Sequence, residues 1–258
     1  MRYLKYSGIV LLIVLSFYFT DKIIIYMENI NPLMIEIVDK SSLYETRLVN
    51  AVVEGNTIIP GLSGKNINPR KSFLQMGEFG SFNETFLVYD SVKPEISLKD
   101  HQDKVIIRGN PIKRSISLVV EPTSRVEIYL EENKIPYTII ANIKIQIERG
   151  KEYINGETDV KRSLDLHSLL NSRKANANLC LLGYSNLDFC IRNKYFLISP
   201  TINSSMQINE LLNQIRSGAI ILIKQNFSLV NLDLVLREIK RQDLKIVYLS
   251  DLICENNN

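Results

Sequence analysis

The stretch Lys113–Pro122, KRSISLVVEP, constrains this chain more than any other. A charged pair, Lys113 and Arg114, leads into the apolar run Ile116–Val120, which ends on the carboxylate Glu121. Pro122 then stops the strand, and a helical pattern follows. A strand without hydrophobic alternation is one buried on both faces, and followed by a helix it reads as part of a parallel α/β sheet.

Downstream, the alternation of strand and helix repeats. The pattern predicts strands over Ser115–Glu121, Pro136–Ala141, Glu152–Ile154, Asn178–Tyr184, Tyr195–Pro200, Ala219–Lys224 and Lys245–Leu249. It predicts helices over Arg125–Asn133, Asp159–Ser172, Asn186–Asn193, Met206–Ser217 and Leu229–Gln242, with a helix or turn across Ile143–Gly150. Gly218 stands just past its helix, where a left-handed cap belongs. About six or seven βα units over roughly 140 residues read as a doubly wound sheet or a shortened (β/α) barrel.

The upstream part differs. Met1–Thr20 carries Arg2 and Lys5 and then an apolar run from Gly8 to Phe19. A full span needs roughly 20 residues, so this run better matches a signal segment. Bulky Phe17, Tyr18 and Phe19 leave no small-residue cleavage site. An uncleaved anchor over 1–22 is expected, with the bulk of the chain outside a single-pass cell membrane; the alternative is a buried amino-terminal helix. From Ile23 to Arg108, short apolar stretches (Leu33–Val38, Ala51–Val53, Thr57–Ile59, Phe86–Tyr89, Val105–Ile107) are separated by turn signals. They predict a separate small α+β or mostly β module, with one helix from Pro69 to Met76. Gly61 and Gly64 are too close together for a phosphate-cradling loop.

Composition narrows the function classes. Of 258 residues, 45% are hydrophobic and 23% charged, which suits a packed core. A net charge of +3 with no basic run gives no footprint for nucleic acid. Cys180, Cys190 and Cys254 match no zinc spacing. They read as small buried hydrophobes, and a Cys180–Cys190 bridge is open to a chain outside the cell.

Working residues of parallel α/β folds lie at the carboxyl ends of strands. Those positions hold Glu121, Asn142, Asn155, Tyr184, Ser199 or Thr201, and Lys224 with Gln225. Only one is a carboxylate and none is a histidine, whereas a hydrolytic metal needs several converging ligands. Of two histidines, His101 precedes the repeating units and His167 sits mid-helix on an apolar flank, as a packed residue would. Aromatic side chains such as Tyr184 and Tyr195 could stack on sugars, although tyrosine in a strand is more often core.

From Lys113 to about Leu252 the chain resembles the polysaccharide deacetylase family, the carbohydrate esterases that remove acetyl groups from peptidoglycan, chitin and related polymers. The similarity is carried by KRSISLVVEP, by VEIYLEENKIPYTIIAN (126–142), by IRSGAIILIKQN (215–226) and by LVLREIKRQDLKIVYLSDLI (234–253). GSFNETFLVYDSVKPEISL (80–98) is similar to the amino-terminal region of membrane-anchored relatives. The resemblance implies a distorted (β/α) barrel over 113–254, preceded by a module over 23–108 and the anchor. It also implies a divalent metal, commonly zinc, held by an Asp and two His, with another Asp as base and a late His as acid. On this chain the base position falls on Glu121 or Val120, and the metal Asp on Pro122 or Glu121. The paired histidines meet Glu157, Thr158 and Asp159, and the late one meets Lys224.

The expectation is therefore a membrane-anchored, deacetylase-like pseudoenzyme of the bacterial envelope. It has no cofactor and no confident catalytic residue. Glu121 is a vestige, Asn142, Tyr184 and Lys224 are the other groove candidates, and the partner is a cell-wall polysaccharide or an envelope protein. One alternative is an active, divergent metal-dependent deacetylase built on Glu121, with zinc. Another is a purely structural envelope protein.

Overall fold

The computed structural model describes the backbone of residues 2–256, and the side chains of these except 2–13, 124, 176 and 177. In chain order the elements begin with helices α1 (Arg2–Asn29) and α2 (Pro32–Tyr44) and strands β1 (Val52–Glu54), β2 (Thr57–Ile59) and β3 (Gly64–Ile67). Next come α3 (Pro69–Met76), β4 (Tyr89–Val92), β5 (Val105–Ile106), β6 (Ser115–Val120), α4 (Ser124–Glu132), β7 (Thr138–Ala141) and β8 (Glu152–Asn155). They continue through α5 (Val160–Arg173), β9 (Asn176–Leu181), α6 (Leu187–Arg192), β10 (Phe196–Ile198), β11 (Ile202–Asn203) and α7 (Ile208–Gln214). The remainder are β12 (Ile220–Ile223), α8 (Leu229–Arg241), β13 (Lys245–Ile246) and α9 (Leu249–Ile253). Contacts divide the chain into two units: residues up to Leu48 with Gly64–Val92, and Val49–Ser63 with Lys93 onward.

In the smaller unit, Asn31 caps α2 through the Leu33 N–H, and Pro32 takes the first helical position. The apolar stretch Leu33–Val38 is thus helical, which makes the unit α+β rather than mostly β. Asn68 caps α3 through the Lys71 N–H, and the helix from Pro69 to Met76 forms as expected. Strands β3 and β4 pair antiparallel. Leu33, Ile37, Ile67, Met76 and Leu87 are its core, with Phe73, Phe82 and Phe86 packed around them.

Helix α1 runs well past the expected end of the anchor at 22. Val14, Phe17, Phe19, Ile23, Tyr26 and Met27 on it are each more than half exposed. Among the described residues no helix is long and apolar enough to cross a membrane. The membrane-spanning character expected of 1–22 is therefore not found there; the apolar run that suggested it, Gly8–Phe19, begins among side chains outside the described set.

The larger unit is built on one sheet of order β1-β2-β5-β10-β9-β8-β7-β6-β12-β11, with β13 also on β6. Every ladder in it is parallel except β1 with β2. Side chains alternate along each strand. Ile116, Leu118, Val120, Ile139, Ala141, Ile221 and Ile223 face one layer, shared with Val126 and Leu130 of α4, Leu166 and Leu170 of α5, and Leu232, Val235 and Ile239 of α8. Val119, Ile140, Ile154, Ile220 and Leu222 face the interior with Ile58, Ile106, Leu179, Leu181 and Ile198, and α9 adds Leu249, Leu252 and Ile253. The Leu249 N–H donates to Thr138 Oγ1 at 3.1 Å, and Ser250 Oγ donates to the Glu152 carboxylate, fixing α9 against the amino ends of β7 and β8.

After β5 the chain returns to β12. The Gly109 N–H donates to the Gly218 carbonyl at 2.8 Å and the Gly218 N–H to that of Ser115 at 2.7 Å. Thr201 Oγ1 donates to the Ile107 carbonyl at 2.8 Å and accepts from the Ile220 N–H at 3.1 Å. These bonds bridge the gap in the ladder, so the sheet curls into a shortened, distorted (β/α) barrel.

The structure departs from the sequence pattern in several places. Strands β1, β2 and β5 belong to the barrel sheet, so the module expected over 23–108 is divided: 49–63 and 93–108 join the larger unit because Ile58 and Ile106 complete the interior. Of the helix or turn expected across Ile143–Gly150, turns form. The strand expected to reach Leu249 stops at Ile246, and Leu249 opens α9.

Gly218 has φ +85°, and a Cβ there would stand 2.3 Å from the Gly109 carbonyl oxygen. Gly218→Ala is expected to destabilise by about 3 kcal/mol or more, as left-handed strain and a backbone clash combine. Urea unfolding checks this; a loss below about 1 kcal/mol would contradict the role of this bridge.

Candidate functional site

Parallel strands end together at one mouth of the barrel, and the loops beyond them carry the candidate residues. Glu121 follows β6 directly, its N–H donating to the Ile223 carbonyl at 2.9 Å. Tyr184 stands in the turn between β9 and α6, and its hydroxyl donates to Glu121 Oε1 at 2.5 Å. The Gln225 N–H, just past β12, donates to Glu121 Oε2 at 3.0 Å, while Gln225 Nε2 donates to the Pro122 carbonyl at 3.1 Å. Strands β7 and β8 lie between β6 and β9 in the sheet, so the Tyr184–Glu121 contact reaches across the mouth. The Tyr184 ring packs on the interior layer. Burial, and then the hydrogen bond to Glu121, push its phenol up to about 12, so it is held as a proton donor.

The other candidates support the scaffold. Asn142 Oδ1 accepts from the Lys144 N–H at 2.9 Å. The Lys224 N–H donates to Ser204 Oγ at 2.8 Å. Buried Asn155 donates from Nδ2 to the Ser163 carbonyl at 3.0 Å and accepts the Glu157 N–H at 3.0 Å. The Ser199 N–H donates to the Ile106 carbonyl at 2.8 Å, in line with the wall-building role of Thr201. Of the strand-end positions, the structure brings Glu121, Tyr184 and Gln225 together.

Where the paired histidines would stand, Glu157 is only 7% exposed. Its Oε1 accepts the Ile143 N–H at 2.8 Å, so the carboxylate ties the loop after β7 to the loop after β8. Asp159 caps α5, accepting the Arg162 N–H at 3.0 Å. That role was open to sequence reasoning, since an aspartate directly before an amphipathic run is a start signal. Buried Glu157 carried no such signal. His167 packs against the rings of Phe189 and Tyr195 and is hydrogen-bonded to the Tyr195 hydroxyl. His101 Nδ1 lies 3.0 Å from the Ser97 carbonyl in a short 3-10 turn.

A hydrolytic zinc takes three protein ligands and keeps one position open. Here both oxygens of Glu121 are engaged, the Glu157 carboxylate serves a backbone N–H, and Lys224 is a cation. Among the described residues no group of three or more His, Cys, Asp or Glu side chains could hold a metal ion. The residues present do not fit the metal that the deacetylase resemblance implies.

Cys180 of β9 and Cys190 of α6 are bonded to each other, and both are fully buried. Sequence left that pairing open. The turn carrying Tyr184 lies between them.

The sequence matches no family model. A stretch of 91 residues is 34% identical to the uncharacterized protein YlxY of Bacillus subtilis (strain 168), covering 35% of this chain and 28% of that protein. The match thus spans little more than a quarter of that relative's length. Among solved structures, wild-type BA3943 of Bacillus anthracis, a CE4 family pseudoenzyme, superposes with a TM-score of 0.58 at 16% identity, covering 88% of this chain and 96% of that one. A BA3943 mutant with restored enzymatic activity gives 0.59 at 18% identity, covering 88% and 99%. The chain has the fold of these CE4 proteins, and its deacetylase-like architecture is shared with a pseudoenzyme of that family.

Proposed function

We propose that this chain is a non-catalytic, deacetylase-like protein of the bacterial cell envelope, tethered by α1 and working by recognition rather than turnover. One observation carries the reading: both oxygens of Glu121 at the barrel mouth are engaged from within the chain, Oε1 by the Tyr184 hydroxyl and Oε2 by the Gln225 N–H. Hydrogen bonds to a charged group are worth about 1.5–3 kcal/mol each, so an incoming cation must break stabilising contacts to gain a single ligand. A bound metal lowers the pKa of its water to about 7. Nothing at Glu157 or Lys224 offers a substitute, since one carboxylate is committed to backbone and the other group is a cation.

Two features support the envelope. Disulfides persist in oxidising compartments, and Cys180–Cys190 is formed. Helix α1 leaves the large apolar side chains of Val14, Phe17, Phe19, Ile23 and Met27 more than half exposed. What such a protein retains is recognition, of wall polysaccharide or of another envelope protein.

Two experiments test this. Purified protein dialysed against zinc should retain no stoichiometric metal by mass spectrometry and release no acetate from N-acetylglucosamine oligomers or peptidoglycan above the blank. Stoichiometric zinc with turnover would establish the active, divergent deacetylase instead. Full-length protein expressed in a bacterium should sediment with membranes and resist an alkaline carbonate wash, whereas a chain starting at Asn31 should be released. Recovery of the full-length chain in the soluble fraction would reject the tether.

A further inference from the structure

Tyr184 does not belong to a strand, because β9 ends at Leu181. Its turn is nevertheless held on every side. Cys180 before it and Cys190 after it are bonded. Gly183 takes φ +84° to make the reversal. Ser185 Oγ donates to the Asn155 carbonyl and accepts the Leu181 N–H at 2.8 Å. The Asn186 N–H donates to the Glu157 carbonyl at 2.9 Å and its Nδ2 to that of Thr158 at 2.7 Å, while its Oδ1 accepts the Phe189 N–H. A short turn with this many constraints loses little further entropy when it fixes one side chain.

That side chain is aimed inward. Its ring covers the interior layer, whose opposite end is filled by Leu249, Leu252 and Ile253 of α9. Its hydroxyl meets a carboxylate from the far side of two intervening strands. The barrel mouth is here spanned by a phenol–carboxylate contact.

We propose that Tyr184 is a built-in plug: the disulfide-rooted turn holds its ring over the barrel mouth and its hydroxyl on Glu121, and a saccharide enters only when Tyr184 is displaced. The ligand class rests on the reading of the chain as a deacetylase-fold recognition protein. The plug itself stands on the contacts just given.

The test uses the full chain and four variants. Carbodiimide with a small amine modifies accessible carboxylates, and peptide mass spectrometry reads the rate at Glu121. Tyr184→Ala should label about tenfold faster than wild type, the factor that a lost hydrogen bond to a charged group is worth. Equal rates would overturn the plug. Tyr184→Phe keeps the ring and removes only the hydroxyl, so it separates the contact from packing. In urea unfolding, Tyr184→Phe and Glu121→Gln should each lower the midpoint, and the double variant should lose no more than the worse single one. Additive losses would show that the pair does not interact and would also overturn the plug. Titration with N-acetylglucosamine tetramer should show tighter binding to Tyr184→Ala than to wild type, and equal binding would reject occlusion. If no form binds the tetramer while the labelling difference holds, the saccharide reading fails and the plug survives.

Discussion

The burial of β6 on both faces is the constraint from which the rest of the larger unit follows. All of its residues from Ser115 to Val120 are buried, and it pairs with β7, β12 and β13. Ile116, Leu118 and Val120 need helices over them, while Val119 needs an interior. Leucine or isoleucine truncation at such sites costs about 2–5 kcal/mol, a large part of a domain's net stability. A strand with these demands fits a sheet that carries helices on one face and curls on the other. The curl then decides the site, because it brings the carboxyl ends of β6 and β9 within reach of one glutamate and one tyrosine.

Much of this was legible in the sequence. The strand–helix alternation from Lys113 is strong because parallel strands read as continuous apolar runs and their helices as periodic ones. The Asn68-Pro69 start of α3 was legible for the same local reason: a capping side chain followed by proline leaves few alternatives. Asn31-Pro32 carried an equal signal for α2, which the apolar run Leu33–Val38 obscured. Strands β2 and β5 were not legible as barrel strands, since elements of three and two residues have no period to detect. Helix α9 failed likewise, its five residues blending with the run that precedes them.

The site shows the same division between local and distant information. Glu121, Tyr184 and Gln225 could each be named from their places after strands, but their meeting depends on how tightly the sheet curls between residues 63 apart in sequence. Asn142 occupied an equivalent place, yet its side chain serves a local turn, and at Lys224 the backbone N–H is held by Ser204 Oγ just past β11. That Glu157, Thr158, Asp159 and Lys224 stand where the resemblance expects histidines was legible residue by residue. What they do there was not: Glu157 is a buried tie between loops, and Asp159 a helix cap. Both residues stabilise the scaffold.

On the function proposed above, Glu121 is held by Tyr184 and Gln225 and does not serve a hydrolytic metal. A crystal structure grown in excess zinc, with anomalous scattering recorded at the zinc edge, tests it most directly. The account expects no anomalous peak within coordination distance of Glu121 and the Tyr184 hydroxyl still on Oε1. A peak bound by Glu121 with Tyr184 turned away, completed by other side chains of the mouth, would contradict it.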